Sequence, residues 1–489
     1  MSDPYVHPFF DNNLNNLHHA MQYNDDGLPV LRVKTQDLIL SGDGLTLTVD
    51  EVTVNNAPNN PVPVTGTVNI DTMPDVIVTS AGVYFEDSAN NTAFGRLRAA
   101  NTRLLGEFRN QYGTMGPVEI ITKFEQGGTQ TVNLSETNTL LTVTSDAGSR
   151  ALRQSRKYHP YIPGTTNIAF VSFTFGEAKD NLQQQVGLYD DLNGIFVRLN
   201  GTTAEMVIRK DGTDTEVVAQ SEWNVDRLDG TGPSGINIDF TKSQIFVADY
   251  QWLGVGRVRV GFSIDGQVVY THYFTHQNQL TEPYMFQPSL PVRWEIANTG
   301  VTDSSSSMMC ICYGVYVEGS DLQTGFDQSV STGTTAITLG ANADAVKGLI
   351  AIRLKNTVTG QPNRAFAQLK DWDIVTSLTA QYKVMILQGI DDLAGTPVWQ
   401  DATPTGWCEY TTDFRLANST PDNAVILYDG FAAGASNRGE RTNQNTDNRS
   451  SSIFQNFDST DSMIIAIVAY RIPNDNAAMR ASINWIEFK

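Results

Sequence analysis

Gly194-Ile-Phe-Val-Arg-Leu-Asn-Gly-Thr-Thr-Ala-Glu-Met-Val-Ile-Arg-Lys-Asp-Gly212 is the stretch on which the fold turns. Two short apolar runs, 194–199 and 204–209, are separated by Asn200-Gly201 and followed by Asp211-Gly212. Runs this short, rich in Ile, Val and Phe, read as strands rather than helices. Asn-Gly and Asp-Gly favour type I′ hairpin corners, where both central residues take φ > 0. The same grammar recurs at 168–175, 185–189, 244–250, 257–264 and 267–274, with further corners at Asn193-Gly194 and Asp265-Gly266. Short strands at regular spacing with turn signals between them predict an antiparallel sandwich, not a parallel α/β sheet.

Working outward, residues 151–325 form one lectin-like β-sandwich. The hairpin order and the size favour a jelly-roll, concanavalin-like fold of the legume-lectin and laminin G kind. Residues 326–489 repeat the pattern at 335–339, 348–354, 382–387, 424–428, 463–470 and 481–488, which predicts a C-terminal β-sandwich. A loop over 434–451 has almost no apolar residue. Residues 80–150 read as a β-rich connector, with strands near 118–122 and 140–144. Residues 1–79 read as an N-terminal arm and attachment or oligomerisation region. Within it Leu14, Leu17 and Met21 would share one face of a short helix. Leu45-Thr-Leu-Thr-Val49 alternates after a Gly42-Asp-Gly44 turn, and 55–64 is a proline-broken connector. The fold class expected is therefore all-β, with antiparallel β-sandwich domains in series.

Lys plus Arg total 33 and Asp plus Glu total 53, a net charge of −20. Phosphate binding needs clustered cations, so this balance argues against nucleic acid as a partner. No apolar run approaches the roughly 18 residues of a membrane span, and the polar N-terminus lacks the apolar core of a signal peptide. The cysteines are Cys310, Cys312 and Cys408; an odd number excludes a complete disulfide framework. Cys310 and Cys312, two apart on a strand, are expected on one face as structural residues.

Catalytic chemistry would need paired carboxylates, to which Asp249 near Trp252 or Glu295 beside Trp294 could belong; no catalytic residue is assigned and the chain is expected not to be an enzyme. Calcium would find hard oxygen ligands at Asp190, Asp191 and Asn193 or at Asp211 and Asp214, but neither turn has the EF-hand pattern, and hairpin chemistry explains both. No cofactor is expected. Adjacent His18 and His19 point apart, which makes one shared metal awkward. Ser304–Ser307 reads as a flexible loop. Trp223, Trp252, Tyr284 and Trp294 serve either as a glycan-stacking patch or as sandwich core.

Residues 220–296 carry a further signal. The stretch runs Gln220-Ser-Glu-Trp-Asn-Val-Asp-Arg-Leu-Asp-Gly-Thr-Gly-Pro-Ser-Gly235, then Gln244-Ile-Phe-Val-Ala-Asp-Tyr-Gln-Trp-Leu-Gly254, Val255-Gly-Arg-Val-Arg259 and Pro291-Val-Arg-Trp-Glu-Ile296. Together with Ala93-Phe-Gly-Arg-Leu-Arg98 and Arg153-Gln-Ser-Arg-Lys-Tyr158, it resembles a signature of structural proteins from tailed bacteriophages. The resemblance spans roughly residues 80 to 320 and extends more loosely beyond. It implies a virion component with other virion proteins as partners; the polar N-terminus adds assembly in the host cytoplasm, and the thin strands and proline spacer of residues 1–79, which lack a core of their own, add self-association, a trimer being expected. The placement expected is a tail, baseplate or fibre subunit with a host-surface contact. The alternatives are a capsid decoration or head-fibre protein, a glycan-binding adhesin, or a glycan-cleaving depolymerase. An interaction surface is expected at Trp223, Asp226, Asp229, Trp252, Arg257, Arg259 and Trp294. Asp226, Asp229, Arg257 and Arg259 would tie the glycine-rich loop to the Trp252 turn. Arg96 and Arg98 would face an acidic neighbouring chain or solvent.

Overall fold

The computed structural model describes residues 21–23, 29–31, 39–41, 44–46, 91–93, 95–96, 98, 102–110, 119–318, 325–339, 346–418, 424–432, 452–456, 460–471 and 477–488. The expectations for residues 1–20, for the proline-broken connector and for the 434–451 loop lie outside them. The chain divides into Met1–Tyr84 and Phe85–Lys489. The first unit carries two small antiparallel hairpins, Met21–Tyr23 with Pro29–Leu31 and Ile39–Ser41 with Gly44–Thr46. Met21 begins a strand, so the helical face expected over Leu14, Leu17 and Met21 does not reach it.

In the second unit fifteen strands build the first sandwich. They are β1 (Thr102–Arg109), β2 (Ile120–Glu125), β3 (Thr129–Asn133), β4 (Asn138–Val143), β5 (Arg150–Ser155), β6 (Thr166–Thr174), β7 (Leu182–Tyr189) and β8 (Gly194–Asn200). After them come β9 (Thr203–Lys210), β10 (Thr213–Ala219), β11 (Gln244–Tyr250), β12 (Val258–Ile264), β13 (Gln267–Phe274), β14 (Val292–Asn298) and β15 (Ser306–Glu318). Sheet A runs β13–β12–β11–β6–β15–β4–β3, with β1 also paired to β15; sheet B runs β10–β9–β8–β7–β14–β5–β2. The fold is all-β and antiparallel, two sheets face to face as in a jelly roll. Val171, Phe173, Ala248, Tyr250 and Phe262 of sheet A meet Val186, Leu188, Val197, Trp294 and Ile296 of sheet B in one core. Each of the Val, Leu, Ile and Phe side chains contributes about 1.5–3 kcal/mol on burial. Among the described residues no helix is long and apolar enough to cross a membrane.

The two Asp-Gly corners obey the turn chemistry, whereas Asn193-Gly194 is no corner of its own: Gly194 opens β8 opposite Tyr189, and residues 190–193 make the turn. Asp211 and Gly212 (φ 49° and 75°) and Asp265 and Gly266 (φ 50° and 80°) make two-residue hairpins. The Asn200 corner slides by one: Asn200 pairs with Thr203, and Gly201 and Thr202 form the turn.

Two expectations need correcting. Residues 80–150 are not a separate connector, because β1, β3 and β4 complete sheet A and β2 completes sheet B. The Ser304–Ser307 run is not all loop, since Ser306 and Ser307 open β15.

β15 also departs from simple alternation. Its first half pairs with β4 and its second with β1. Against β6 the register jumps, Val171 facing Tyr313 and Phe173 facing Cys310. Ile311 and Cys312 therefore both point outward, as a β-bulge requires. Cys310 lies in the core and Cys312 on the outer face, so they do not share a face. Side chains stitch the bulge: Cys312 N–H donates to Ser172 Oγ at 3.0 Å, and Asn110 Nδ2 donates to the carbonyls of Cys310 (3.1 Å) and Ile311 (2.6 Å).

The C-terminal sandwich stands on β16 (Phe326–Ser331), β17 (Lys347–Leu354), β18 (Phe366–Thr376), β19 (Ala380–Leu387), β20 (Cys408–Leu416), β21 (Val425–Ala432), β22 (Ile464–Arg471) and β23 (Ala478–Phe488). β16–β23–β18 form one sheet and β20–β17–β22–β19–β21 the other, with shorter strands at the edges. Trp372 and Trp485 fill the space between them. A joint fastens this sandwich to the first one. Arg364 pairs with Asp190 at 3.0 Å and lies over the Tyr158 ring at 4.5 Å. Lys157 Nζ sits 5.3 Å above the Phe366 ring, and Arg156 reaches Gln388 Oε1 at 3.4 Å.

Candidate functional site

Alternation along β11 puts Ala248 and Tyr250 in the core and Asp249 on the outer face of sheet A. There Asp249 Oδ2 accepts from Arg98, from Arg259 (2.5 Å) and from the Tyr270 hydroxyl (2.7 Å). Arg98 also pairs with Glu318, and Arg259 donates to the Asn91 carbonyl. Asp249 and Arg259 are fully buried. Burial, and then the neighbouring carboxylate, pushes the Tyr270 phenol well up, so it stays a donor. Two cations and two anions meet here. The acidic partners of Arg98 are in its own chain, not in a neighbour.

Sheet B carries a second network on its own outer face. Arg150 pairs with Glu295 at 2.8 Å, Arg293 with Asp191 at 2.5 Å, and Arg198 with Glu205 and Asp214 at 2.7 and 2.6 Å. Arg209 and Arg293 lie over the Tyr189 ring at 5.9 and 5.2 Å. Burial raises the Asp191 carboxyl, but Arg293 and Arg150 outweigh it and hold it at about 2. Asp190 Oδ1 accepts from Leu192 N–H and Asn193 N–H at 2.8 and 2.7 Å, and its Oδ2 from Tyr158. Of the carboxylates considered for calcium, Asp190, Asp191 and Asp214 thus have protein partners. Among the described residues no group of three His, Cys, Asp or Glu could hold a metal.

Glu295 and Asp249 cannot act as a pair. One lies outside sheet B and the other outside sheet A, with a core about 10 Å thick between the sheets. Glycosidic cleavage needs carboxyls roughly 5–9.5 Å apart, flanking one bond.

The expected interaction surface is mostly interior. Trp223 and Trp294 are core residues whose indole N–H groups donate to the carbonyls of Val218 and Ser172, both at 3.2 Å. Tyr284 is buried, stacked on His276 at 4.2 Å. Trp252 is half-buried against Tyr161 and donates to the Met285 carbonyl at 2.9 Å. The sugar-stacking alternative for these four aromatics is therefore set aside in favour of packing. Asp226 is buried and accepts from Leu228 N–H (2.9 Å) and Ser234 N–H (2.8 Å); exposed Asp229 accepts from Thr231. Both fold the glycine-rich loop onto itself rather than onto the Trp252 turn. Arg257 lies over the Tyr273 ring at 5.3 Å, and Arg259 serves Asp249. The turn is linked instead to the residues after β13: Tyr284 N–H donates to the Gly254 carbonyl at 2.9 Å, and His276 Nδ1 meets the Gly256 carbonyl at 2.7 Å.

What residue-by-residue reading missed is a cavity of about 1040 Å³ on the outer face of sheet A. Phe170, Ile245, Val268 and Tyr316 line it, with Cys312 from the bulge and Arg98 and Glu318 from the ion cluster. The Phe170 and Tyr316 rings meet edge to face, centroids 6.3 Å apart. The Tyr316 ring lies along the sheet over Gly314; a Cβ at 314 would come within 3.0 Å of it. Glu318 is 6 % exposed, and among the described residues its Oε2 has no hydrogen-bond partner. Five strands contribute, so spacing along the chain carries no sign of it; only alternation within β15 and β6 hinted at the outward set.

No family model and no curated protein matches this chain. Among solved structures it is similar to a protein of unknown function from Shewanella oneidensis MR-1, at 10 % identity over 50 % of this chain and 100 % of that one, TM-score 0.30. It is similar also to a carbohydrate esterase from the Shiga toxin-encoding bacteriophage phi24B, at 10 % identity over 45 % and 100 %, TM-score 0.29. Peanut lectin is a third, at 11 % identity over 46 % and 100 %, TM-score 0.26. Likeness at this level carries no statement about ligand or activity.

Proposed function

We propose that this chain is a non-enzymatic structural component of a tailed-phage virion, a tail, baseplate or fibre subunit that faces the host. One observation supports this reading above the rest. The residues that carry the phage resemblance are used as internal joints. Arg98 and Arg259 close the outer face of sheet A through Asp249. Arg153 is fully buried, held by Asn110 and Gln130 at 3.1 and 3.0 Å. Arg156, Lys157 and Tyr158, which follow it in the same motif, hold the C-terminal sandwich. Such residues tie the two sandwiches to one another, the use expected of a structural subunit. Residues 1–79 are the docking arm in this proposal, and a trimer is its oligomeric form.

Mass spectrometry of purified particles, with gold-labelled antibody imaging, tests it. The chain should be present in stoichiometric amount, with label on the tail. Label on the head would move the assignment to a capsid decoration or head-fibre protein. Absence from particles would end the virion reading.

A further inference from the structure

We propose that the cavity on the outer face of sheet A is a binding groove for a neutral oligosaccharide. Tyr316 and Phe170 are its stacking platform, and Glu318 and Arg98 are the groups that read hydroxyls. The proposal rests on the virion reading only for its biological setting, a host-surface glycan.

Sugar recognition needs a flat apolar surface for the C–H face of a pyranose and rigid polar groups at its edge. The groove has both. Gly314 lets the Tyr316 ring lie flat on the sheet, and Phe170 braces it edge-on. Glu318 and Arg98 are fixed by pairing with each other, and Arg98 is pinned again by Asp249. A buried acceptor without a donor is unfavourable, and the Oε2 of Glu318 is such an acceptor at the groove wall. A hydroxyl would satisfy it. Within the lining Arg98 faces the carboxylates of Glu318 and Glu107, so the site repels a phosphate and suits an uncharged ligand that offers hydroxyl donors. Pockets for small ligands run about 300–1,000 Å³, and a groove at the top of that range accommodates more than one sugar ring.

Cys312 provides a readout in the unaltered protein. It lines the groove half-buried, whereas Cys310 and Cys408 are buried with their thiols pushed well up by burial. A water-soluble thiol reagent therefore reaches Cys312 first. Neutral hexasaccharides of glucose, galactose, mannose and N-acetylglucosamine would be added at millimolar concentration. At least one should slow Cys312 labelling in a saturable way. Tyr316→Ala and Glu318→Gln should weaken that sugar at least about tenfold by calorimetry, Tyr316→Phe should retain it, and Phe431→Ala, exposed in the C-terminal sandwich, should not matter. Melting curves accompany each variant, and Phe170→Ala replaces any that fails to fold. Three results would overturn the inference: no sugar protects Cys312; binding survives Tyr316→Ala; or Cys312 is protected by raising protein concentration alone, which would mean a second copy fills the groove. A chain found in particles with an unresponsive groove would sink this inference and leave the virion reading standing.

Discussion

Arg364 of the C-terminal sandwich reaches Asp190 of the first sandwich at 3.0 Å, and both side chains are buried. Asp190 is the hinge of two structures at once. Its Oδ1 closes the β7–β8 corner, and its Oδ2 takes Arg364 and the Tyr158 hydroxyl. A turn aspartate is thus also the anchor of a second domain.

Arg364→Ala should loosen that joint without unfolding either core. Tyr158 and two backbone N–H groups still serve Asp190, so the loss is at least one charged hydrogen bond and the contact with the Tyr158 ring, about 2–4 kcal/mol. Calorimetry should show the C-terminal transition moving down and separating from the first. A single transition at the original temperature would contradict the joint.

Asp249→Asn should be more severe. It removes the anionic acceptor that Arg98 and Arg259 share. Removing one partner of a buried ion cluster costs about 3–5 kcal/mol. Denaturant titration should place the variant that far below the parent; a shift under about 1 kcal/mol would mean water already screens the cluster.

His272 sets a pH limit. Burial is the main cause holding its imidazole down at about 4, against a weaker opposite pull from Glu216, and Nδ1 accepts from Asn224 N–H at 3.3 Å. The folded pKa is below the unfolded one, so its contribution is complete above about pH 6.5 and is lost as pH falls toward 4. Stability should fall across that window by about 1–2 kcal/mol once solvent screening around the imidazole is allowed for, and less in His272→Gln. Equal pH slopes in the two proteins would refute the assignment.

Tryptophans should rank by depth. Trp294→Ala opens the centre of the first core and should cost about 3–5 kcal/mol; half-buried Trp252→Ala should cost roughly half of that. The reverse order in melting temperature would show that the Trp252 turn matters more than its burial implies.

The strands and the Asp-Gly corners were legible because alternation and φ > 0 chemistry are local. The role of residues 102–143 was not, because β1 and β4 find their partner in β15, far along the chain. Nor was the direction of Cys312. Met308-Met-Cys-Ile-Cys-Tyr313 is apolar at every position, so nothing marks where alternation breaks. Tryptophan is equally at home in a core and on a sugar-binding face, and only packing separated the two for Trp223 and Trp294. The groove stayed hidden because its residues meet only after five strands are aligned.

The bulge at Ile311 and Cys312 gives β15 one residue more than its partner needs, and so gives the strand a reading frame. Removing Cys312 itself would delete the surplus: Cys310 would still face inward, Ile311 outward and Tyr313 inward, and every later side chain would keep its side. Removing Val315, three positions on, would turn each residue after it to the wrong face. Two deletions of equal size, almost adjacent, should therefore differ as a silent change differs from a frameshift. The first should yield a folded chain that has lost its accessible thiol, and the second should yield aggregate.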